Sequence, residues 1–347
     1  MVKPKVRIST NSIRTLSRRF KWFLPCLSIT TFLASWLGFF PQALVERWYG
    51  RRIFPIISVA AERLADVTSF SWFDLAVPTG AVLAGWLILR RRWKLLANLT
   101  GIVYLSFFWT WGLNYHRQPL ASKLPIDSER STPAELGRFT MHAAREINRL
   151  YKLKLRYDDA ETHDEASLRV KRVVQVIDGP DWDAPHRIKV SVIADPWFHA
   201  AGIDGMFNPA GQEPIISNTL LDIERPFVIA HELAHVRGYP DEGDANVIAA
   251  LATLLSTRPA FQYSGWLSLW LYLRSREADI LLDPGPRTDL QRIFNRSRSE
   301  RIQWISHFQT VILDWFLKAN HVEQGIRSYS RVVLLTAGTE PYWDRFR

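Results

Sequence analysis

Cysteine is nearly absent: one in 347 residues, with only three methionines. A single cysteine excludes an intrachain disulfide framework and any cysteine-based zinc finger. Acidic residues are scarce at one end. Residues 1–117 hold 4 Asp/Glu against 16 Lys/Arg, a net +12, whereas residues 118–347 hold 30 against 28, a net −2. The net charge of +10 therefore belongs to the N-terminal third. A nucleic-acid-binding domain carries its basic face on its folded part, so no nucleic-acid partner is expected. There is no P-loop, no GxSxG elbow, no dinucleotide fingerprint and no internal repeat. A composition of 47% hydrophobic and 22% charged residues excludes a disordered chain.

Long uncharged runs are present, and they lie in the same N-terminal third. Trp22 to Val45 and Leu95 to Tyr115 carry no Asp, Glu, Lys or Arg, and each is long enough to span a bilayer as a helix of about 20 residues. Leu75 to Leu89 reaches that length if Phe70–Phe73 join it and Asp74 sits at headgroup level. Three transmembrane helices are therefore expected over 22–116, behind a basic cytoplasmic N-terminus, 1–21. The clusters at Lys3–Lys21 and Arg90–Lys94 are expected on the cytoplasmic side by the positive-inside rule. The chain is then a multi-pass protein of the bacterial cytoplasmic membrane, with the lipid bilayer as a partner and its main domain extracytoplasmic.

Residues 117–131, with Pro119 and Pro125, are expected to be a linker. Thr132-Pro133-Ala134-Glu135 is a helix start, with Thr as N-cap and Pro at the first position. Residues 163–177 suit helix or strand. The alternation over Ile188–Ile193 suggests a strand ending at Asp195-Pro196, which either packs in a core or pairs with an extended peptide. Gly202 to Pro214 suggests a loop, with a short strand at Ile215–Ser217. Helices are expected from about Phe227 to Arg237, stopped by Gly238 and Pro240, and from about Asp241 to Ser256. Trp304, Phe308, Val311, Trp315 and their neighbours recur at helical spacing, which suggests an amphipathic helix packed on the domain.

The chemistry is concentrated in His231-Glu232-Leu233-Ala234-His235. Two histidines four apart share one face of a helix and can reach one zinc ion. Glu232, beside the first, can take the proton of a zinc-bound water. With 9 His in the chain, such a match arises by chance roughly once in 100 chains of this composition. The flanking Phe227, Val228, Ile229, Ala230, Leu233 and Ala234 make the helix apolar and therefore buried, so its polar groups need partners. A catalytic zinc takes a third protein ligand. Asp241, Glu242 and Asp244 all follow closely. Asp241 completes a metzincin-like spacing but also suits an N-cap. Glu242 has Asn246 one turn later, placed to orient a zinc-bound histidine.

The stretch PFVIAHELAHVRGYPDEGDANVIAALA resembles a domain-of-unknown-function family of bacterial membrane proteins. Weaker matches lie at Gly205…Pro209, Tyr263-Ser264-Gly265, Lys318-Ala319-Asn320 and Gly325…Tyr329. That family looks like gluzincin-type zinc metallopeptidases. The resemblance implies a zincin-like domain over 132–347, mainly α with a small sheet. It implies Glu242 as the third zinc ligand and Asn246 as the residue holding a zinc-bound histidine. Gly243 and Asp244 depart from the family's Asp and Glu, and the shorter Asp244 is a poorer ligand. His199, Tyr263 and Tyr329 are further candidates for stabilising a tetrahedral intermediate. The expected activity is zinc-dependent hydrolysis of a peptide or protein substrate. The competing class is a non-catalytic membrane protein with a structural or vestigial metal site.

Overall fold

A computed structural model of the chain describes residues 22–153, 155–179, 187–320 and 331–347. Tyr329 and the basic cluster from Lys3 to Lys21 lie outside the described residues. The fold is mostly helical, with one two-stranded sheet.

The N-terminal part contains α1 (Phe23–Trp36), a π-helical stretch (Val45–Ile53) leading into α2 (Phe54–Ala65), then α3 (Phe73–Leu89) and α4 (Trp93–Thr110). None is long and apolar enough to cross a membrane, nor is any other helix among the described residues. The expected multi-pass membrane part is thereby overturned, and with it the location in the cytoplasmic membrane. An uncharged run is not a continuous helix. The first run breaks at Gly38, whose φ is +72°, and at Pro41. Its helix of 14 residues is about 21 Å long, against about 30 Å of hydrocarbon. At 17 and 18 residues, α3 and α4 reach about 26 and 27 Å, and α4 carries Lys94 and Asn98. Their polar residues also have partners inside the fold. Asp74, expected at a headgroup, accepts from the Val192 and Ile193 amides at 2.9 and 3.1 Å and bonds the Ser191 hydroxyl.

The expected linker is built into the core. It holds 3-10 turns at Leu120–Ser122 and Ser128–Ser131, and Leu120 is fully buried. Next come α5 (Pro133–Tyr151) and α6 (Asp159–Asp178). Thr132 caps α5 by accepting from the Glu135 amide, and Asp158 caps α6 by accepting from Glu161. Each such cap is worth about 1 kcal/mol. The 163–177 stretch is helix throughout.

The expected strand over Ile188–Ile193 is reduced to a single bridge, Lys189 to Ile215. It turns at once into α7 (Ala194–Ala201), because Ser191 Oγ accepts from the Ala194 amide and Pro196 falls in the first turn, where it needs no amide partner. The expected loop folds into β1 (Gly205–Asn208) and β2 (Glu213–Ile216), antiparallel, with Met206 opposite Ile215. Glu213 locks β2 to the N-terminal part: it pairs with Lys189 at 2.7 Å and accepts from the Trp72 amide at 2.9 Å.

The centre is a pair of helices, α8 (Arg225–Val236) and α9 (Glu242–Leu254), followed by α10 (Pro259–Leu273). Every residue of α9 after Glu242 is buried, as its sequence demands: GDANVIAALATL is small or apolar on all sides. One hydrophobic cluster joins Phe54 and Trp111 of the N-terminal part to Leu233, Ile248 and Trp270. The chain continues through α11 (Pro284–Glu300), α12 (Gln303–Ala319) and α13 (Arg331–Thr339). The apolar side of α12 packs on the domain only in part: Leu317 is buried and the Phe316 ring lies 6.2 and 6.0 Å from those of Phe107 and Tyr115, while Trp304 and Trp315 are 70% and 71% exposed.

Candidate metal centre

Helix α8 starts where Glu224-Arg225-Pro226 places proline in the first turn, and it stops at Gly238, whose φ is +81°. The loop is short because Asp241 caps α9, its side chain accepting from the Asp244 amide at 2.9 Å. This hairpin brings the first residue of α9, Glu242, over the histidine face of α8. Glu242 Oε2 lies 3.2 Å from His231 Nε2 and 3.7 Å from His235 Nε2, and the two Nε2 atoms are 3.1 Å apart.

The outer nitrogens fix what the inner ones offer. His235 Nδ1 is 2.7 Å from the Tyr239 carbonyl, which can only accept, so Nδ1 carries the proton. His231 Nδ1 is 3.0 Å from Asn246 Oδ1, again an acceptor. In each neutral ring Nε2 is then a lone pair. Two lone pairs and a carboxylate oxygen converge on one point. Tetrahedral ligands at a zinc distance of about 2.05 Å are about 3.3 Å apart, which matches the three separations. The residues fit the metal.

Without a metal, a proton on His235 Nε2 can relieve this crowding of acceptors. Burial would push the His235 ring toward neutrality, but its bond to Glu242 and that carboxylate's charge raise it to about 9. Burial would likewise raise Glu242, but its bonds to both histidines hold it well below the usual carboxylate range. Glu232 is raised to about 7 by burial, against the lowering influence of His231 and His235. Its Oε2 is buried without a hydrogen-bond partner among the described residues. Strand β1 lies over this face. A Cβ at Gly205 would overlap Glu232 Oε1 and stand 3.0 Å from both Cγ and Cδ, and the Phe207 ring centroid is 6.3 Å from that of His235.

His231, His235 and Glu242 are the one such His/Cys/Asp/Glu group among the described residues. Asp241 serves as the cap. Asp244 accepts from the Leu120 amide at 3.2 Å. His199 faces Asp195 at 3.3 Å within α7. Tyr263 is fully buried and donates to Asp289 at 2.8 Å, so its hydroxyl is committed elsewhere. Two tyrosines unforeseen from sequence feel the site instead. Burial pushes the Tyr272 hydroxyl up to about 12, with the charges of Glu242 and Asp204 adding to it. Tyr115 is raised further by burial and by Glu242 and Asp241. Tyr115 was hidden in a run that suits a membrane span, and Tyr272 in an apolar helix.

Residues 49–336 match the family described as Protein of unknown function (DUF3810). The chain belongs to that family. The match runs from the π-helical stretch into α13, and so spans the α8–α9 hairpin together with α2, α3 and α4. No curated protein and no solved structure matches the chain.

Proposed function

We propose that this chain is a zinc-dependent metallopeptidase whose metal is held by His231, His235 and Glu242. The observation that carries the reading is the convergence of two imidazole Nε2 atoms and one carboxylate oxygen, 3.1, 3.2 and 3.7 Å apart, with both Nδ1 atoms committed to outward acceptors. Such a set suits a cation. Structural zinc sites usually close with four protein ligands, whereas catalytic ones keep three and an open position, so three ligands favour catalysis.

Bound zinc would supply Lewis acidity, lowering the pKa of a water to about 7. Glu232, adjacent in sequence to the first ligand and raised by burial, would serve as the general base for the attacking water and as the general acid for the leaving amine. Asn246 and the Tyr239 carbonyl hold the two rings in the ligating tautomer. Peptide is the proposed substrate because, among the described residues, β1 pairs with β2 on one side only. Its outer edge, beside Glu232, can pair with an extended chain. The apolar side chains exposed on α1, α3, α4 and α12 support a lipid surface as a further partner, met by contact; co-sedimentation with vesicles tests it.

Elemental analysis of the purified chain should give one zinc per molecule, and His235→Ala should lose it. Glu232→Gln should keep the zinc and abolish peptide hydrolysis. A wild-type chain without zinc would refute the metal centre. Undiminished hydrolysis in Glu232→Gln would refute the role of the glutamate.

A further inference from the structure

Four charged side chains from four separate stretches close on one another under the loop that joins α8 to α9. Glu46 comes from the π-helical stretch, Arg117 and Lys123 from the 3-10 turns after α4, and Asp178 from the end of α6. Their side chains are 4, 5, 5 and 10% exposed. Arg117 forks onto Glu46 through Nε at 3.0 Å and Nη2 at 2.9 Å, and Nη2 reaches Asp178 at 2.7 Å. Lys123 bridges the same two carboxylates at 2.8 and 3.0 Å. Within the quartet two cations balance two anions, and the exposed Arg51 adds a contact to Glu46 at 3.2 Å from outside it.

Two members of the quartet also reach the loop. Arg117 Nη1 donates at 3.1 Å to the carbonyl of Gly238, the residue just past the C-cap Arg237 of α8. The Tyr239 hydroxyl donates to Asp178 at 2.8 Å, and its ring lies 5.1 Å from the Arg117 guanidinium and 5.3 Å from the Lys123 ammonium. Tyr239 is therefore held by ring and hydroxyl while its carbonyl receives the His235 Nδ1 proton. Buried ion pairs are a poor source of stability, since apolar replacements of the same volume often do as well. A geometric task accounts for them better.

We propose that Glu46, Lys123, Arg117 and Asp178 are positioning residues for the metal centre: by clamping Gly238 and Tyr239 they fix the His235 Nδ1–H bond, and so the direction of the His235 Nε2 lone pair. This rests on the metal reading above. None of the four touches a ligand atom.

The test uses the full chain carrying Tyr239→Phe, which removes one hydroxyl, and separately Asp178→Asn. Ile293→Ala in α11 serves as a destabilised control. Zinc affinity is measured by chelator competition. The His235 Nδ1–H resonance is followed in metal-free, histidine-labelled protein and assigned by its loss in His235→Ala. The clamp predicts a roughly tenfold loss of affinity and faster exchange of that proton in both clamp variants, with neither in the control despite its lower melting temperature. Affinity within twofold of wild type together with an unchanged Nδ1–H signal would overturn the proposal. If Asp178→Asn fails to fold, Tyr239→Phe decides. If wild type binds no zinc, the metal reading fails and the metal-free Nδ1–H signal alone decides the clamp.

Discussion

Replacing Gly205 by alanine should separate metal binding from catalysis. Gly205 sits in β1 opposite Ile216, and the three atoms nearest to a Cβ there all belong to Glu232. A Cβ there would overlap Glu232 Oε1 and stand 3.0 Å from Cγ and Cδ. Restoring ordinary carbon contacts of about 3.5 Å requires the side chain to retreat by roughly 0.5–1 Å. Glu232 is buried, so it has little room to return by another route. A shift of that size at a catalytic group costs on the order of 100-fold in rate, or about 2.7 kcal/mol of transition-state stabilisation. His231, His235 and Glu242 are untouched, so zinc content should stay at one per chain. The assay pairs elemental analysis with hydrolysis of a fluorogenic peptide library, with Glu232→Gln as the inactive reference. Gly205→Ala turning over at the wild-type rate, while Glu232→Gln is inactive, would refute the view that close contact with the strand sets the position of the glutamate.

Three further outcomes follow from the same geometry. Asn246→Ala removes the acceptor 3.0 Å from His231 Nδ1 and should weaken zinc binding by roughly 10–100-fold without unfolding the chain; calorimetric titration with zinc checks both. Gly238→Ala should lower stability by about 1–3 kcal/mol, because φ is +81° and its Cβ would stand 2.7 Å from the Phe54 ring and 2.9 Å from Asn114 Oδ1; a melting curve unchanged from wild type contradicts this. Glu46 is held at about 2 against an ordinary 4.5: burial opposes this, but the Arg117 hydrogen bond and the charges of Arg117 and Lys123 win. Its folded value lies below its unfolded one, so its stabilisation is full above about pH 4.5 and is lost as pH falls toward 2. The loss amounts to about 3 kcal/mol. Urea unfolding of wild type and Glu46→Gln between pH 5 and 3 should show a shallower slope in the variant; parallel slopes would rule the contribution out.

The candidate site was legible because it is local. His231, Glu232, His235, Asp241, Glu242 and Asn246 fall within sixteen consecutive residues, and two ordinary rules connect them: i to i+4 neighbours share a helix face, and an Asp before a helix caps it. What supports the site was not legible, because the contacts are distant in sequence. Arg117 meets Glu46 across 71 residues and Asp178 across 61, and Gly205 meets Glu232 from the other side of β2. Secondary structure failed for a related reason. The alternation in Ile188–Ile193 is a real pattern, but one bridge from Lys189 and an Asp74 carboxylate from α3 decide its fate.

The same distinction explains the error over the N-terminal third. A search for spans weighs length and missing charge, and the runs at 22–45 and 95–115 satisfy both. It does not weigh the charges just beyond each run: Glu46 follows the first and Arg117 closely follows the second. At a membrane boundary such residues would face water. Here each is the other's buried partner, 2.9 Å apart, and together they meet the loop that orients His235. The segment expected to anchor the hairpin in a bilayer, with the linker after it, instead supplies Glu46, Arg117 and Lys123, three of the charged quartet beneath it. Truncating the chain to the stretch from Thr132 onward would therefore remove Glu46, Arg117 and Lys123 at once. It would leave Asp178 a buried carboxylate with no cation beside it, a loss on the order of 3–5 kcal/mol, so the hairpin alone is not expected to keep the geometry of the candidate site.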